Sequence, residues 1–533
     1  MTETHRIPQL TTSNFDFPGL IQNPKAKYVD KTDLLYTLCN DADQQLFISR
    51  PRRFGKSLML STLKAMFEGR RELFKGLKLD DLPWECWDEK CRYPVLSFDM
   101  SKLAPSEGLS AMQKTLRLMI DEKAEEFGCA APDTPLLGFA FEDLLRSVAA
   151  KSPNGKIIVL VDEYDTPVQG FLDNPSELGK VNAFLHDFYR RLKINSGSIR
   201  FLMMTGVTKL TKLSVFSGLN HLKDRTMDPR FATLLGYTPE ELDGPLRENV
   251  MAFGAMNGWD FPTARAKLLE WYDGYRFSPE SEEKVCNPVS LGSALESGDL
   301  RNFWEVTGRA TMIIDRIKAA DEIPADLNGM LVDPMDLDVC DAETMPLAAL
   351  LYQGGYLTIA DVDEEDGSIS LGIPNLEISK SLHEGFMRSI LGRSMENWSE
   401  RMILARRDIR AKGVETLLTR NLRAVFAAVP HEWRIEDERE AKRYFLLFMK
   451  LIGADISGER QSARGRADAI LKDKSGVYVF EFKYGKTARE AVDQARGKDY
   501  VGPWLDGNPP VFLVGVNYDP EKRGIDDPIV ERA

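Results

Sequence analysis

The chain opens with short apolar runs separated by longer stretches in which apolar residues recur every three or four positions. Gln45–Ser49 (QLFIS), Val95–Phe98, Ile157–Val161 (IIVLV) and Arg200–Thr205 (RFLMMT) predict strands, the third buried on both sides because no polar residue interrupts it. Between them, Ser57–Glu68 places Leu58, Leu60, Leu63, Met66 and Phe67 at helical spacing, and Gly108–Phe127 and Leu178–Lys193 read as amphipathic helices. Strands alternating with helices predict an α/β unit on a parallel sheet covered on both faces. From residue 235 to 345 helical patterning takes over, broken by turns at Gly244-Pro245, Asn287-Pro288 and Asp333-Pro334. A small β element is expected over Leu350–Gly372, then a helical, basic stretch over Ile378–Ala428. From Glu436 the order becomes helix, hairpin, helix, strand.

Composition narrows the class. With 533 residues, 43% hydrophobic and 28% charged, wholesale disorder and fibrous repeats are excluded. No apolar run approaches the ~20 residues that span a bilayer, and Met1–Leu20 has no apolar centre of the kind a secretory leader needs. Six cysteines, at 39, 86, 91, 129, 286 and 340, are too scattered for a disulfide framework. A cytoplasmic protein with no membrane partner is therefore expected. The net charge of −13 speaks against nonspecific coating of nucleic acid. The charge is uneven, however: residues 321–366 hold 13 acids and no Lys or Arg, whereas residues 401–500 hold 22 Lys/Arg against 15 Asp/Glu. That asymmetry fits a C-terminal part that meets a polyanion, and equally a helix-rich surface with solvated bases.

Two places carry chemistry. Arg50-Pro51-Arg52-Arg53-Phe54-Gly55-Lys56-Ser57 follows a strand and opens a helix, the setting in which main-chain N–H groups hold a phosphate. Lys56 would neutralise the β- and γ-phosphates and Ser57 would ligate Mg²⁺. Arg50 stands where the general pattern has glycine, so the octapeptide alone could also be a basic strand–helix turn. Ile157–Val161 then runs directly into Asp162-Glu163, with Asp162 suited to the Mg²⁺ shell and Glu163 to polarising the attacking water. The spacing of this strand from the loop suggests that the two lie side by side, and Thr205 ends another strand where it could sense the γ-phosphate.

The second place is a hairpin. Arg466–Leu471 and Val477–Lys483 flank a turn, and closure about Lys474-Ser475 sets Asp468 opposite Glu481 and Ile470 opposite Val479. Alternation puts Glu481 and Lys483 on the face of Asp468, with Tyr478, Phe480 and Phe482 on the other. Facing carboxylates are costly unless a cation neutralises them, and oxygen ligands suit Mg²⁺ or Mn²⁺. A solvated Asp/Glu/Lys patch is the competing interpretation. Glu440 is a further candidate acid, and Gln494, Arg496 and Lys498 are candidate phosphate contacts. Cys86 and Cys91 lack a second ligand pair, and His186 reads as a packed helix residue.

Tyr28-Val29-Asp30-Lys31-Thr32, Arg50–Leu58, Val161–Pro167 (VDEYDTP), Thr205–Lys209 (TGVTK) and Trp271–Phe277 (WYDGYRF) with Asn287-Pro288 together resemble the bacterial AAA-ATPase-like family. Gly465-Arg466-Ala467-Asp468, Glu481-Phe482-Lys483 and Gln494 resemble the PD-(D/E)xK nuclease-superfamily domain commonly fused to it. The resemblance implies a P-loop NTPase-type parallel sheet (1–235) with a helical lid (236–345), a small β element and helical connector (346–430), and a small α/β restriction-endonuclease-like domain (431–533). It implies ATP, bound by Arg53, Phe54, Gly55, Lys56, Ser57, Asp162 and Thr205, with Glu163 catalytic and Ser57 and Asp162 on the metal. It also implies Asp468, Glu481 and Lys483 as phosphodiesterase residues, with Asp468 and Glu481 on Mg²⁺ or Mn²⁺. The expected activity is ATP hydrolysis coupled to cleavage of nucleic acid, DNA ahead of RNA. The alternative is a nucleotide-dependent switch whose C-terminal domain binds nucleic acid or a partner without cutting. A homo-oligomer is conceivable, with Arg225 or Arg276 as a finger reaching into a neighbouring site.

Overall fold

The computed structural model of the chain describes residues 7–13, 16–171, 174–209, 221–304, 314, 317, 327–338, 346–391, 435–451, 454–462, 465–473, 475–498, 500–501 and 509–533. They form two compact units: residues 1–304 with 329–378, and residues 305–328 with 379–533. The helical, basic stretch expected after Ile378 is seen as the helix Leu376–Leu391, and the rest of it lies outside the described residues.

In the first unit, β1 (Gln9–Leu10) and β2 (Ala26–Lys27) form a short parallel pair. The main sheet consists of β3 (Gln45–Ser49), β4 (Val95–Asp99), β5 (Ile157–Asp162), β6 (Ile199–Gly206) and β7 (Lys223–Asp224), all parallel, in the order β4-β5-β6-β3-β7. The expectation that the loop strand β3 and the acidic strand β5 are neighbours is overturned: β6 lies between them and pairs with both. The loop and the acids still meet, because the helix after the loop packs over β5 and β6.

Register explains the two covered faces. Phe98 pairs with Val161 and Phe201 with Ile158, positions of opposite parity on β5, so the two phenylalanines point to opposite faces. On one face Phe201 meets Phe67, the last residue of the helix Lys56–Phe67, with ring centroids 5.1 Å apart. On the other, Phe98 meets Phe141 and Phe188, from the helices Leu137–Lys151 and Pro175–Ile194, at 5.3 and 6.2 Å. Ile157 to Val161 are fully enclosed, which contributes roughly 1.5–3 kcal/mol per side chain before the entropy of ordering is subtracted.

The helices Arg247–Asn257, Phe261–Tyr272 and Pro288–Ser297 build a second core with Leu10 and Val29 of the N-terminal segment. β8 (Met330–Val332), β9 (Thr358–Val362) and β10 (Ile369–Gly372) form a small antiparallel sheet, β10 in the middle. The expected β element thus gains a third strand, and its first residues belong to the helix Leu347–Gln353.

In the second unit the helix Glu438–Leu451 precedes β11 (Asp455–Ser462), β12 (Gly465–Asp473), β13 (Gly476–Tyr484), the helix Ala488–Gly497, β14 (Val511–Asp519), β15 (Gly524–Ile525) and β16 (Ile529–Arg532). The hairpin register from Ala469↔Phe480 to Asp473↔Gly476 is the one the turn position predicts, and β13 pairs parallel with β14. Phe480 and Phe482 pack on Phe445 of the first helix, both with centroids 4.9 Å away, while Val477 and Val479 join Val492 and Ala495 of the second helix in one core. The alternation read from the sequence is therefore the one that folds.

Close packing at the sheet edge leads to one prediction. A methyl group on Gly206 would lie 2.6 Å from both Asp165 Oδ1 and the Tyr164 ring, well inside contact distance. Gly206→Ala should cost about 1–3 kcal/mol, the usual price of overpacking, and lower the thermal midpoint read by tryptophan fluorescence. An unchanged midpoint would show that this edge yields freely.

Candidate active sites

The helix Lys56–Phe67 starts at the end of β3 with Gly55 as its N-cap, at φ +90°, and no side chain caps its first-turn N–H groups. Such an end attracts an anion. Arg53, at φ +69°, is one of the few non-glycine residues in the left-handed region, and its guanidinium donates to Phe303 O at 2.7 Å. The N–H groups of Phe303 and Trp304 donate in turn to Glu377 Oε1 at 2.7 and 2.9 Å.

Lys56 is buried, and its ammonium donates to Arg50 O and Pro51 O at 3.0 and 3.1 Å, with Glu163 Oε1 3.9 Å away. Burial pushes its pKa down, and the Glu163 and Asp162 charges oppose that shift. Ser57 Oγ donates to Asp162 Oδ2 at 2.5 Å and Thr205 Oγ1 to Asp162 Oδ1 at 2.7 Å. Burial raises the Asp162 pKa, while these two hydroxyl bonds hold it down. Glu163 has φ +52°, and its Oε2 accepts from Thr166 Oγ1 at 2.9 Å. The loop and the ends of β5 and β6 thus meet at one edge of the sheet. A cavity of about 90 Å³ opens beside the loop, walled by Tyr28, Lys31, Arg53, Phe54, Gly55 and Tyr237 among others. Lys56 is not on that wall, because its ammonium is turned onto the loop carbonyls.

In the second unit, Asp468 Oδ2 accepts from Phe482 N–H at 2.8 Å across the hairpin, and Oδ1 lies 3.3 Å from the Lys442 ammonium. Glu481 is almost fully enclosed; its Oε1 accepts from Lys483 Nζ at 3.3 Å and from Gln494 Nε2, while Oε2 is buried with no hydrogen-bond partner. Burial, and after it the Asp468 charge, pushes the Glu481 pKa up to about 7, with Lys483 opposing. Lys483 Nζ also donates to Phe482 O at 2.7 Å and pairs with Glu438 at 3.5 Å. Two carboxylates with an unsatisfied buried oxygen are a donor set that fits a hard divalent cation. Among the described residues no trio of His, Cys, Asp or Glu is grouped closely enough to cage a metal, so a cation here would rest on the acid pair and smaller ligands.

A family model described as a predicted AAA-ATPase matches residues 12–216, and a PD-(D/E)XK nuclease-superfamily model matches residues 436–527. A protein of Azotobacter chroococcum mcd 1, described as an uncharacterized protein in the vnfD 5′ region, is 31% identical over 522 residues, or 95% of each chain. The chain belongs to the AAA-ATPase-like family. Its C-terminal domain is of the PD-(D/E)XK nuclease superfamily.

The geometry gives the motifs of this AAA-ATPase-like protein physical roles that spacing alone does not. Phe54 is buried edge-on against Tyr275 and Phe277 of WYDGYRF, with centroids 4.9 and 5.2 Å away, so that motif packs directly on the 50–57 loop. Arg50, in place of the usual glycine, is buried: its guanidinium donates to Ser49 O, Thr226 O and Phe231 O and lies over the Phe277 ring at 4.2 Å. In VDEYDTP, Asp165 accepts from Thr208 N–H at 2.8 Å and Thr208 Oγ1 at 2.6 Å, tying TGVTK to the acidic strand end.

Neither arginine-finger candidate is available within this fold. Arg225 is buried and pairs with Asp41, Asp43 and Asp228, and the Arg276 guanidinium donates to the carbonyls of Ser278, Pro279 and Ser281. Glu440 is not bonded to the Asp468, Glu481 and Lys483 group either: its carboxylate accepts from Glu436 N–H at 2.6 Å, and the acid that pairs with Lys483 is Glu438. Of the expected phosphate contacts, Gln494 bonds Glu481, Arg496 pairs with Glu531, and Lys498 lies near the Tyr500 ring. Among the described residues no helix is long and apolar enough to cross a membrane.

Proposed function

We propose that the protein binds and hydrolyses ATP in its first unit and cleaves phosphodiesters of nucleic acid, DNA ahead of RNA, in its second. The observation that carries the first half is the Asp162 carboxylate held by hydroxyls from two different elements, Ser57 and Thr205, beside a buried loop lysine. Ser57 and Asp162 supply oxygen donors for Mg²⁺ with the nucleotide. Phosphate oxygens would take over the Lys56 protons now given to Arg50 O and Pro51 O, and the uncapped helix end would add main-chain donors. Glu163, held by Thr166, lies where it can accept a proton from an attacking water.

In the second unit Asp468 and Glu481 would hold Mg²⁺ or Mn²⁺, which, when bound, supplies charge neutralisation at the phosphate. Lys483, anchored by Phe482 O, would direct its ammonium at the developing negative charge. The reading of the C-terminal domain as a non-cutting, nucleotide-controlled binder draws support from Lys442, which already offsets the Asp468 charge without a metal.

Full-length wild-type and Glu163→Gln proteins, assayed for ATP turnover and for Mg²⁺-dependent loss of duplex DNA, separate these readings. Wild type should consume both substrates, and the variant should retain ATP binding while its turnover drops about 10²–10⁴-fold. Wild-type protein that turns over ATP yet leaves DNA and RNA intact at every Mg²⁺ and Mn²⁺ concentration would sink the nuclease half and leave the binder.

A further inference from the structure

Glu438 and Lys442 sit four residues apart on the helix Glu438–Leu451 and share one face of it. That face meets the hairpin crosswise: Glu438 pairs with Lys483 at 3.5 Å, and Lys442 pairs with Asp468 at 3.3 Å. The helix therefore brings a charge pair of reversed sign to the two residues the nuclease reading needs most. Lys442 and Asp468 are both mostly buried, so their attraction is screened less than that of a surface pair.

Resting on that reading, we infer that Lys442 is a resident counter-ion, holding Asp468 until a divalent cation and a phosphodiester arrive and then transferring to the phosphate. Asp468 Oδ2 is committed to Phe482 N–H, so Oδ1 is the oxygen over which an ammonium and a cation compete. The competition is electrostatic: a divalent ion seated between Asp468 and Glu481 repels the ammonium 3.3 Å from Oδ1. A phosphodiester oxygen offers the displaced ammonium a new anion. Metal binding in the free protein is then weak, and duplex DNA strengthens it by accepting the lysine, a reciprocal coupling between the two ligands.

The test uses the full-length chain without nucleotide, titrated with Mn²⁺ and followed by electron paramagnetic resonance of the free ion, with and without a phosphorothioate-protected DNA duplex. Wild type should bind Mn²⁺ weakly and more tightly once the duplex is present. Lys442→Gln should bind Mn²⁺ roughly five- to tenfold more tightly without DNA and show no further gain when DNA is added. Lys442→Met repeats the measurement with a side chain suited to the helix. Asp468→Asn identifies the signal that belongs to this site. If Asp468→Asn removes Mn²⁺ binding but both Lys442 variants match wild type with and without DNA, the counter-ion role is overturned. If Asp468→Asn leaves Mn²⁺ binding unchanged, it is the nuclease reading that fails.

Discussion

Lys56→Ala should abolish ATP turnover, with a fall of at least about 10²–10³-fold, the scale on which a single preorganised donor contributes to stabilising transition-state charge. The lysine lies 3.9 Å from Glu163 and opposes the burial that raises the Asp162 pKa. Its removal also leaves Arg50 O and Pro51 O without the donor they now share, at a cost of about 1–3 kcal/mol. Thermal midpoints of the variant and of a nucleotide-saturated sample must therefore accompany the rates. A variant that keeps its fold and turns over ATP at the wild-type rate would remove Lys56 from the mechanism.

Asp468→Asn should abolish Mg²⁺-dependent phosphodiester cleavage while leaving ATP turnover in place. It should also have an electrostatic signature. The Asp468 charge is the second-largest cause, after burial, of the raised Glu481 pKa. Neutralising it moves that pKa down from about 7, so Glu481 should ionise at lower pH than in wild type. The Glu481 carboxyl resonance, followed by NMR across pH 4–9, should shift its midpoint to lower pH. A midpoint that stays in place or rises would mean that the two carboxylates do not share a field.

The sequence revealed the strands because their environments are uniform. Ile157 to Val161 are all buried, and an unbroken apolar run has no other home in a water-soluble sheet. The hairpin was readable for a related reason: alternation and a two-residue turn fix register, and Ala469↔Phe480 follows directly. Strand order was not readable, since the distance in sequence from the loop to Asp162 does not say that β6 will separate them. β11 escaped notice because residues 457–462 are polar or glycine and show no period of two.

Within the candidate sites, spacing along the chain could name the motif residues, while those that reach in from elsewhere had no such signal. Glu438 and Lys442 belong to a helix whose charged face looks like any solvated one until the hairpin is set against it. Arg50 reads as a defect in a glycine pattern, and only its three carbonyl partners show it to be a brace. A spacing rule records neighbours along the chain, whereas these contacts, the Arg50–Ser49 bond apart, span 26 to 181 residues.

Phe303 is held from both sides, its carbonyl by Arg53 of the 50–57 loop and its N–H by Glu377. Phe303 and Glu377 each lie one residue before a boundary residue of the first unit, Trp304 and Ile378. Arg53, Phe303 and Glu377 thus join the 50–57 loop to both of those boundaries through one shared residue. A shift of Arg53 would therefore be felt at both boundaries at once, two hydrogen bonds from the loop.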